Sequence, residues 1–242
     1  MKRIVIIGAT SGIGHEVAKC FVQQGWKVGV AGRREAALLD MQQSAPQQIE
    51  VQPMDVTADD ASQRLHALIE RLGGMDVFLL SSGIGRQNTA LEADIELQTA
   101  RTNVEGFIRM VDAAYRYFAQ QGGGHLAVIS SIAGTKGIGV APAYSATKRF
   151  QNTYIDALDQ LAHMQHIPIC FTDIRPGFVD TALLGDGKRY PMLMNVQRVG
   201  QLIARALQRK QRVVVIDGRY RLLVFFWRLI PRWLWKRLPI HC

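Results

Sequence analysis

The sequence predicts an α/β fold in a single domain, built on a parallel sheet of about seven strands with helices on both faces. Short apolar runs rich in β-branched residues alternate with longer segments of helical period along most of the chain. The length of 242 residues suits one such core, and neither a Pro/Gly/Ser-rich linker nor a fixed-period repeat interrupts the pattern. With 48% hydrophobic and 20% charged residues, disorder is not expected.

The order of the elements specifies how the sheet is wound. The strand candidates are nearly continuous apolar runs, which is typical of parallel strands that are covered on both faces. Right-handed crossovers between them predict a doubly wound sheet. The strands are predicted at residues 3–8, 27–32, 49–56, 75–83, 125–131, 168–177 and 212–217. The first three helices are predicted at residues 14–24, 34–43 and 59–72.

The stretch "GATSGIG" follows the first strand and leads into the first helix. Gly8 would permit the turn, Gly12 would let a pyrophosphate approach the backbone, and Gly14 would let helix and strand pack closely. Free N–H groups at a helix start attract phosphate, so this cluster suits a dinucleotide. A plain strand-to-helix turn is the alternative, because the spacing differs from the commoner dinucleotide fingerprint.

A Tyr-Lys pair with helical spacing is the strongest chemical signal. Tyr144 and Lys148 lie four residues apart in "YSATK" and share one face of a predicted helix. An ammonium group beside a phenol is expected to lower the phenol's pKa from about 10, which would suit a general acid.

These motifs together resemble the short-chain dehydrogenase/reductase family, from Met1 to about Asp217. The matching stretches, in the family's order, are "GATSGIG", "DV" at Asp55, "RTNVEG" around Asn103, "ISSIAG" around Ser131, "YSATK" and "RPGFVDT" from Arg175. The resemblance implies a Rossmann-like fold and an oxidoreductase that transfers a hydride between a nicotinamide and a carbonyl or secondary alcohol.

The resemblance also implies four catalytic residues. Tyr144 would exchange a proton with the substrate oxygen, and Lys148 would hold the cofactor ribose and keep the pKa of Tyr144 low. Ser131, chosen over Ser130 by its spacing from Tyr144, would polarise the substrate carbonyl. Asn103 would hold a water that links Lys148 to solvent.

The cofactor site implied by the resemblance follows the ends of several strands, and NADP(H) is favoured over NAD(H). Gly32 stands where an acid would bind a ribose 2′-hydroxyl, and Arg33 follows with a guanidinium suited to a 2′-phosphate. Asp55 would accept from the adenine amino group and Val56 would pack on the ring. The expected cofactor-binding residues are Gly8, Thr10, Ser11, Gly12, Ile13, Gly14, Arg33, Arg34, Asp55, Val56, Ser82, Gly83, Tyr144, Lys148, Pro176, Gly177, Val179 and Thr181.

The sequence departs from the family pattern at two places. Ser81 and Ser82 replace an amide and an alanine before Gly83, which leaves fewer hydrogen-bonding groups on the central strand. Ile7 stands where a threonine commonly precedes the first glycine. Neither change removes a catalytic group, so the enzymatic interpretation is kept.

The segment 182–194 corresponds to the family's substrate loop. Its apolar residues would line a pocket for a lipophilic substrate, while Lys188 and Arg189 would meet an anionic head group. A solvated loop whose apolar residues simply pack is an equal alternative. The apolar residues are Leu183, Leu184, Met192, Leu193 and Met194.

The last 34 residues carry most of the net charge of +9, with nine basic residues and one acidic residue. We predict a catalytic domain at 1–217 and a basic amphipathic tail at 218–242, which a dinucleotide-binding core is not expected to need. At helical period its basic residues face an apolar stripe, so that residues 219–239 would lie on a membrane surface. Packing of the stripe on the active site or on a neighbouring subunit is the alternative.

Several classes of function and location are disfavoured. A neutral body argues against nucleic-acid binding, and Cys20, Cys170 and Cys242 fit neither a disulfide framework nor a zinc site, so no metal is expected. The short apolar run at the start does not make a signal peptide. A cytoplasmic protein, with peripheral membrane contact through its tail, is predicted.

Assembly and the competing function complete the expectations. The resemblance implies a homodimer or homotetramer that packs two helices, near 90–118 and 144–163. The competing hypothesis is a sensor or scaffold that binds NAD(P)H without turnover, and the complete set of four catalytic residues disfavours it.

Overall fold

A seven-stranded, all-parallel sheet forms the centre of the computed structural model, which describes residues 1–184 and 190–240. The spatial order is β3-β2-β1-β4-β5-β6-β7, so the winding reverses between β1 and β4. The predicted doubly wound α/β fold is confirmed. The strands are β1 (Arg3–Ile7), β2 (Lys27–Gly32), β3 (Ile49–Pro53), β4 (Val77–Leu80), β5 (Gly124–Ile129), β6 (Ile169–Arg175) and β7 (Val213–Val215).

Helices cover both faces of the sheet. A π-helical segment, Arg101–Gly106, joins α4 to α5. The helices are α1 (Gly12–Gln23), α2 (Glu35–Ser44), α3 (Ala61–Leu72), α4 (Ala93–Ala100), α5 (Phe107–Gln121), α6 (Pro142–Met164), α7 (Val196–Gln208), α8 (Gly218–Leu229) and α9 (Arg232–Trp235).

Two hydrophobic clusters fill the space between sheet and helices, one on each face of the sheet. The side chains of β1 alternate between the two clusters. Val5 and Ile7 point into the cluster under α3, α5 and α6, whereas Ile4 and Ile6 point into the cluster under α1, α2, α7 and α8. Successive strand residues face opposite sides of a sheet, so a continuous apolar run supplies both clusters.

Except for β2, the predicted strands were too long at their carboxyl ends. β3 ends at Pro53 and β4 at Leu80, so Asp55 and residues 81–83 lie in the loops that follow. These loops carry the sequence motifs, and they emerge at one edge of the sheet because all strands are parallel.

The C-terminal segment is tied to the body through α8. Tyr220 is fully buried and Val224 nearly so, and both belong to the cluster under α1 and α7. The Tyr220 hydroxyl accepts from the Phe178 backbone N–H and lies 3.0 Å from the Pro191 carbonyl oxygen, to which it donates. The Tyr220 ring fills space against Gly177, so this segment adds a side chain to the core. The expectation that the core does not need the segment stays a prediction.

The opposite face of α8 is apolar and exposed. Leu222, Phe225, Phe226 and Leu229 are each more than half exposed, as is Trp233 in α9. Among the described residues, no helix is both long and apolar enough to cross a membrane. The segment thus carries one buried face and one apolar face that the described protein leaves open.

Tyr220→Ala is expected to lower the free energy of unfolding by about 3–5 kcal/mol, because it empties a fully buried aromatic site. Phe226→Ala, on the same helix but on the exposed face, should change it by no more than about 0.5 kcal/mol. Chemical denaturation of both variants measures the difference. Equal effects of the two substitutions would show that α8 does not pack as described.

Candidate active site

The glycine-rich turn after β1 lies against the loop after β4, at the point where the winding of the sheet reverses. Gly8 has a φ of +89°, and a Cβ there would lie 2.5 Å from the Ser82 backbone nitrogen. A side chain at this position would therefore meet both backbone strain and a collision. The two loops can approach closely only because residue 8 is glycine.

The turn has the features of a phosphate cradle. Gly12 has a φ of +60°, and a Cβ there would come within 3.3 Å of the Thr181 side chain. At Gly14 a Cβ would collide with the Gly8 carbonyl oxygen, so α1 packs directly on the turn. Ser11, the N-cap of α1, makes no side-chain capping hydrogen bond, which leaves the first helical N–H groups available to an anion. The predicted residues fit a dinucleotide pyrophosphate.

The end of β2 is shaped by Thr10. A Cβ on Gly32 would lie 2.7 Å from Thr10 Cγ2, so a side chain at the position where an acid would stand would require Thr10 to shift. Arg34 turns back to this loop, and its Nη2 donates to the Thr10 carbonyl oxygen at 3.0 Å. The Arg33 side chain is exposed.

Asp55 is fixed at the end of β3 by its own loop. Its Oδ1 accepts from the Thr57 backbone N–H at 2.9 Å and from the Thr57 hydroxyl at 2.8 Å. Burial opposes ionisation of this carboxyl, but the Thr57 hydrogen bonds and the charge of Arg33 outweigh it and lower the pKa of Asp55. Arg33 and Asp55 thus lie near enough to interact. Val56 is buried against Gly106.

Asn103 lies in the π-helical segment and is fully buried. Its Oδ1 accepts from the Ile84 N–H at 2.9 Å, and its Nδ2 donates to the Ile84 carbonyl at 2.7 Å and to Thr147 Oγ1 at 3.1 Å. The amide therefore joins the loop after β4 to the helix that carries Tyr144. A wide turn of this kind is often found at functional sites.

Lys148 holds its ammonium group in the interior, with only 4% of the residue exposed. Its Nζ donates to the Ile129 carbonyl at 3.1 Å and to Gln151 Oε1 at 3.0 Å. Burial lowers the pKa of Lys148 to about 8, and the charge of Asp173 opposes this shift. Gln151 Nε2 in turn donates to the Asn103 carbonyl at 2.9 Å, so the two predicted catalytic residues share one partner.

Tyr144 stands beside Lys148 and Ser131. Lys148 Nζ is 5.7 Å from the centre of the phenol ring. Burial raises the pKa of Tyr144, and a hydrogen bond with Ser131 opposes the rise. The expectation of a lowered pKa is therefore wrong for the polypeptide alone, because desolvation outweighs its neighbours. A Cβ on Gly85 would collide with the Tyr144 ring, so the ring can pack closely on the loop only because residue 85 is glycine.

The two adjacent serines at the end of β5 have different partners. Ser131 Oγ accepts from the Ala133 N–H at 3.0 Å and reaches Tyr144. Ser130 Oγ instead donates to Asp173 Oδ1 in the interior. Of the two serines, Ser131 is thus the one that reaches Tyr144, and its catalytic role stays a prediction.

A buried charged network lies behind Ser130. Asp173 is completely buried in β6, and its Oδ2 accepts from Arg175 Nη2 at 2.6 Å and from Asn152 Nδ2 at 2.9 Å. A buried carboxylate needs such partners, since an unpaired one would be very costly. The network places a paired negative charge near Lys148.

The "RPGFVDT" stretch leaves β6 beside the glycine-rich turn. The Pro176 carbonyl accepts from the Ile132 N–H at 3.1 Å, and Val179 is buried and pairs with Met194. Thr181 approaches Gly12, as noted above, which brings the first and last motifs together.

The predicted substrate segment is only partly described. Leu183 and Leu193 are each almost half exposed, Leu184 and Met192 are intermediate, and Met194 is buried. Lys188 and Arg189 lie outside the described residues. The described apolar side chains thus divide between packing and exposure, as both sequence hypotheses allow.

Sequence reasoning missed several residues that hold this site together. Gln151 lies three residues after Lys148 on the same helix, and this spacing was a usable signal. Gly85, Asp173 and Tyr220 gave no comparable local signal, because each acts through contacts with residues distant in the chain.

Comparison with known proteins gives a consistent picture. Residues 2–189 match the family model described as short chain dehydrogenase. An "Uncharacterized oxidoreductase" of Myxococcus xanthus is 31% identical over 212 residues, covering 85% of this chain and 83% of that protein. The "Dehydrogenase/reductase SDR family member 7B" of Xenopus tropicalis is 26% identical, covering 94% of this chain and 81% of that protein.

Solved structures share the fold at lower identity. The 3-ketoacyl-(acyl-carrier-protein) reductase from Brucella melitensis, complexed with NADH, superposes with a TM-score of 0.80 at 22% identity, covering 90% of this chain and 97% of that one. An alcohol dehydrogenase from Thermococcus sibiricus, complexed with 5-hydroxy-NADP, gives 0.79 at 20% identity, covering 91% and 97%.

Proposed function

Because this chain belongs to the short-chain dehydrogenase/reductase family of oxidoreductases, we propose that it is an NADP(H)-dependent enzyme acting on a carbonyl or secondary alcohol. The observation that carries the proposal is the meeting of Tyr144, Ser131 and the buried ammonium of Lys148 beside the loop of Gly83 and Gly85. A nicotinamide cofactor on the glycine-rich turn would supply or accept the hydride.

Tyr144 acts as the general acid in the direction of reduction. Its raised pKa keeps the phenol protonated near neutral pH, so that it has a proton to give to the substrate oxygen. Ser131 would hold that oxygen through a hydrogen bond and polarise the carbonyl. In the reverse direction Tyr144 would take the proton from the alcohol.

Lys148 and Asn103 would support proton return to Tyr144. With a pKa of about 8, Lys148 is mostly charged at neutral pH yet can lose its proton at low cost. The Asn103 amide and Gln151 connect this ammonium to the loop after β4. A water held near Asn103 would complete the path to solvent.

Residues at the end of β2 support a preference for NADP(H). A Cβ at position 32 would press on the Thr10 methyl group, which disfavours an acid there, and the exposed guanidinium of Arg33 suits a 2′-phosphate. Arg34, which bonds to Thr10, would be a secondary contact. Of the two similar structures, one holds an NADP derivative and the other NADH, so the preference rests on this chain's own residues.

The substrate is proposed to be lipophilic and to be met at a membrane surface. The exposed apolar face of α8 and α9 is flanked by basic residues, among them Arg221, Arg228 and Arg237. Anionic lipid would attract this charge, and the headgroup boundary suits exposed tryptophan. We retain 217 as the proposed end of the catalytic domain, with Tyr220 and Val224 joining the tail to it.

The cellular form is proposed to be a cytoplasmic homodimer or homotetramer. The helix α6 is the proposed contact, with α4 and α5 beside it. Exposed apolar side chains on these helices, Leu97 and Leu161, support the proposal because they would be covered in an assembly.

Binding of NAD(P)H without turnover remains the second candidate. The glycine-rich turn would serve a sensor as well as an enzyme. The buried placement of Lys148 argues for turnover, since holding an ammonium group in the interior costs stability that a simple binding site would not need.

Tyr144→Phe is expected to lower the turnover number at least about 100-fold, because it removes only the transferable proton. NADPH affinity and thermal stability should be unchanged. Tyr154→Phe is the matched control, since it lies on the same helix and donates its hydroxyl proton to Asp112 instead. If Tyr144→Phe reduces a panel of ketones at near-normal rates, Tyr144 is not the general acid.

Arg33→Ala is expected to weaken NADPH binding about tenfold or more, while NADH binding changes little, because only NADPH carries the 2′-phosphate. Titration calorimetry with both cofactors gives the ratio of the NADPH and NADH dissociation constants for each variant. Arg64→Ala, which removes an equal charge from α3, is the control. Equal losses for NADPH and NADH would contradict the assignment.

The double variant Phe226→Ser and Leu229→Ser is expected to bind anionic phospholipid vesicles about tenfold or more weakly, because it removes exposed apolar area and leaves the charge intact. Leu39→Ser with Leu91→Ser, at exposed positions of the body, is the control. Co-sedimentation with vesicles at two salt concentrations separates the apolar contribution to binding from the electrostatic one. If the wild-type protein does not bind the vesicles, the proposal of membrane contact is wrong.

A further inference from the structure

A wide cleft separates the C-terminal segment from the loop that follows Ser131. It encloses about 1130 Å³ and is bounded by residues 134–140, by the first turns of α6 and by residues 232–240. A volume near 1,000 Å³ is large enough for a small-molecule ligand. None of Asn103, Ser131, Tyr144 and Lys148 lines it, so it is separate from the candidate active site.

Positive charge is concentrated on the walls of this cleft. Lys136, Arg149, Arg232 and Lys236 all line it, and no acidic side chain does so among the described residues. Lys136 Nζ donates to the Ile230 carbonyl at 2.6 Å and stands over the Trp235 ring. Across residues 1–184 and 190–240, no ion pair engages the other three cations.

The remaining lining is mostly apolar. Trp235 is held in place because its Nε1 donates to the Gly137 carbonyl at 2.8 Å, and Ile138, Leu238 and Ile240 lie around it. Thr135 also lines the cleft, and its Oγ1 is buried without a hydrogen-bond partner in the described chain. Within residues 1–184 and 190–240, the cleft therefore combines positive charge that lacks an ion-pair partner with an apolar wall.

We propose that this cleft binds a single-chain amphiphile with an anionic head group, such as an alkyl phosphate or a fatty acid. Arg149, Arg232 and Lys236 contact the anion, since guanidinium and ammonium groups match phosphate and carboxylate oxygens. The alkyl chain lies on Trp235, Leu238 and Ile240. The site is distinct from the proposed carbonyl site and from the exposed apolar face that we propose for membrane contact.

Binding of octyl phosphate, kept below its micelle concentration, tests the proposal on the full-length protein by titration calorimetry. We expect one saturable site, with inorganic phosphate and 1-octanol each binding at least about tenfold more weakly, because each supplies half of the contacts. If either one binds as tightly as octyl phosphate, the amphiphile assignment is wrong. The absence of saturable binding would also overturn it.

Charge-matched variants locate the site. Lys236→Gln and Arg149→Gln should each weaken octyl phosphate binding about tenfold or more, as expected for loss of a charged hydrogen bond. Arg237 is next in the chain but lies outside the cleft, over the Trp233 ring. Arg237→Gln should therefore change the affinity for octyl phosphate by no more than about twofold. An equal loss from Arg237→Gln would show diffuse attraction to the basic segment and refute the site.

Arg149→Gln also separates this site from membrane attachment. Arg149 lies on α6, outside the C-terminal segment, so its loss should leave vesicle binding unchanged while octyl phosphate binding falls. Retained octyl phosphate affinity in this variant would contradict the proposed cleft contacts.

Discussion

The burial of the Lys148 ammonium group is the constraint around which the candidate site is built. An ammonium group in the interior must be hydrogen-bonded, and Lys148 meets this need through the Ile129 carbonyl and Gln151. Gln151 then holds the Asn103 carbonyl, and Asn103 holds the loop at Ile84. Satisfying one buried charge thus orders β5, α6, the π-helical segment and the loop after β4 together.

The same burial determines the acid-base character of the site. It lowers the pKa of Lys148 and raises that of Tyr144, so both groups move away from the charged form. The Tyr144 phenol is therefore protonated at neutral pH, as the proposed general acid for carbonyl reduction has to be. The position of Asp173, paired with Arg175 and Asn152, limits how far the pKa of Lys148 falls.

Close contacts through glycine connect this site to the rest of the fold. Gly8 and Gly14 bring β1, α1 and the loop after β4 together, and Gly85 receives the Tyr144 ring. Gly177 receives Tyr220 from α8 in the same way. A helix of the basic C-terminal segment therefore packs directly beneath a motif predicted to bind the cofactor, although its other face is exposed.

The sequence was sufficient to predict the parallel, doubly wound sheet, the positions of its seven strands along the chain and the motifs at its carboxyl edge. Those predictions depend on local patterns: apolar runs for strands, glycine at positive φ, and a Tyr-Lys spacing of four. It was not sufficient for the pKa of Tyr144, because burial is set by the whole fold. Nor did it predict the packing of Tyr220 on Gly177, since an amphipathic helix pattern does not say which neighbour covers each face.

The most direct test of the proposed oxidoreductase function is to follow the hydrogen that NADPH would transfer to the substrate. Purified protein would be incubated with NADPH that carries deuterium at both C4 positions of the nicotinamide and with a panel of lipophilic ketones and aldehydes, and the products would be analysed by mass spectrometry. We expect deuterium on the carbinol carbon of at least one product, and no such transfer by Tyr144→Phe. Tight binding of NADPH with deuterium transferred to no substrate would contradict the enzymatic function and favour a binding protein.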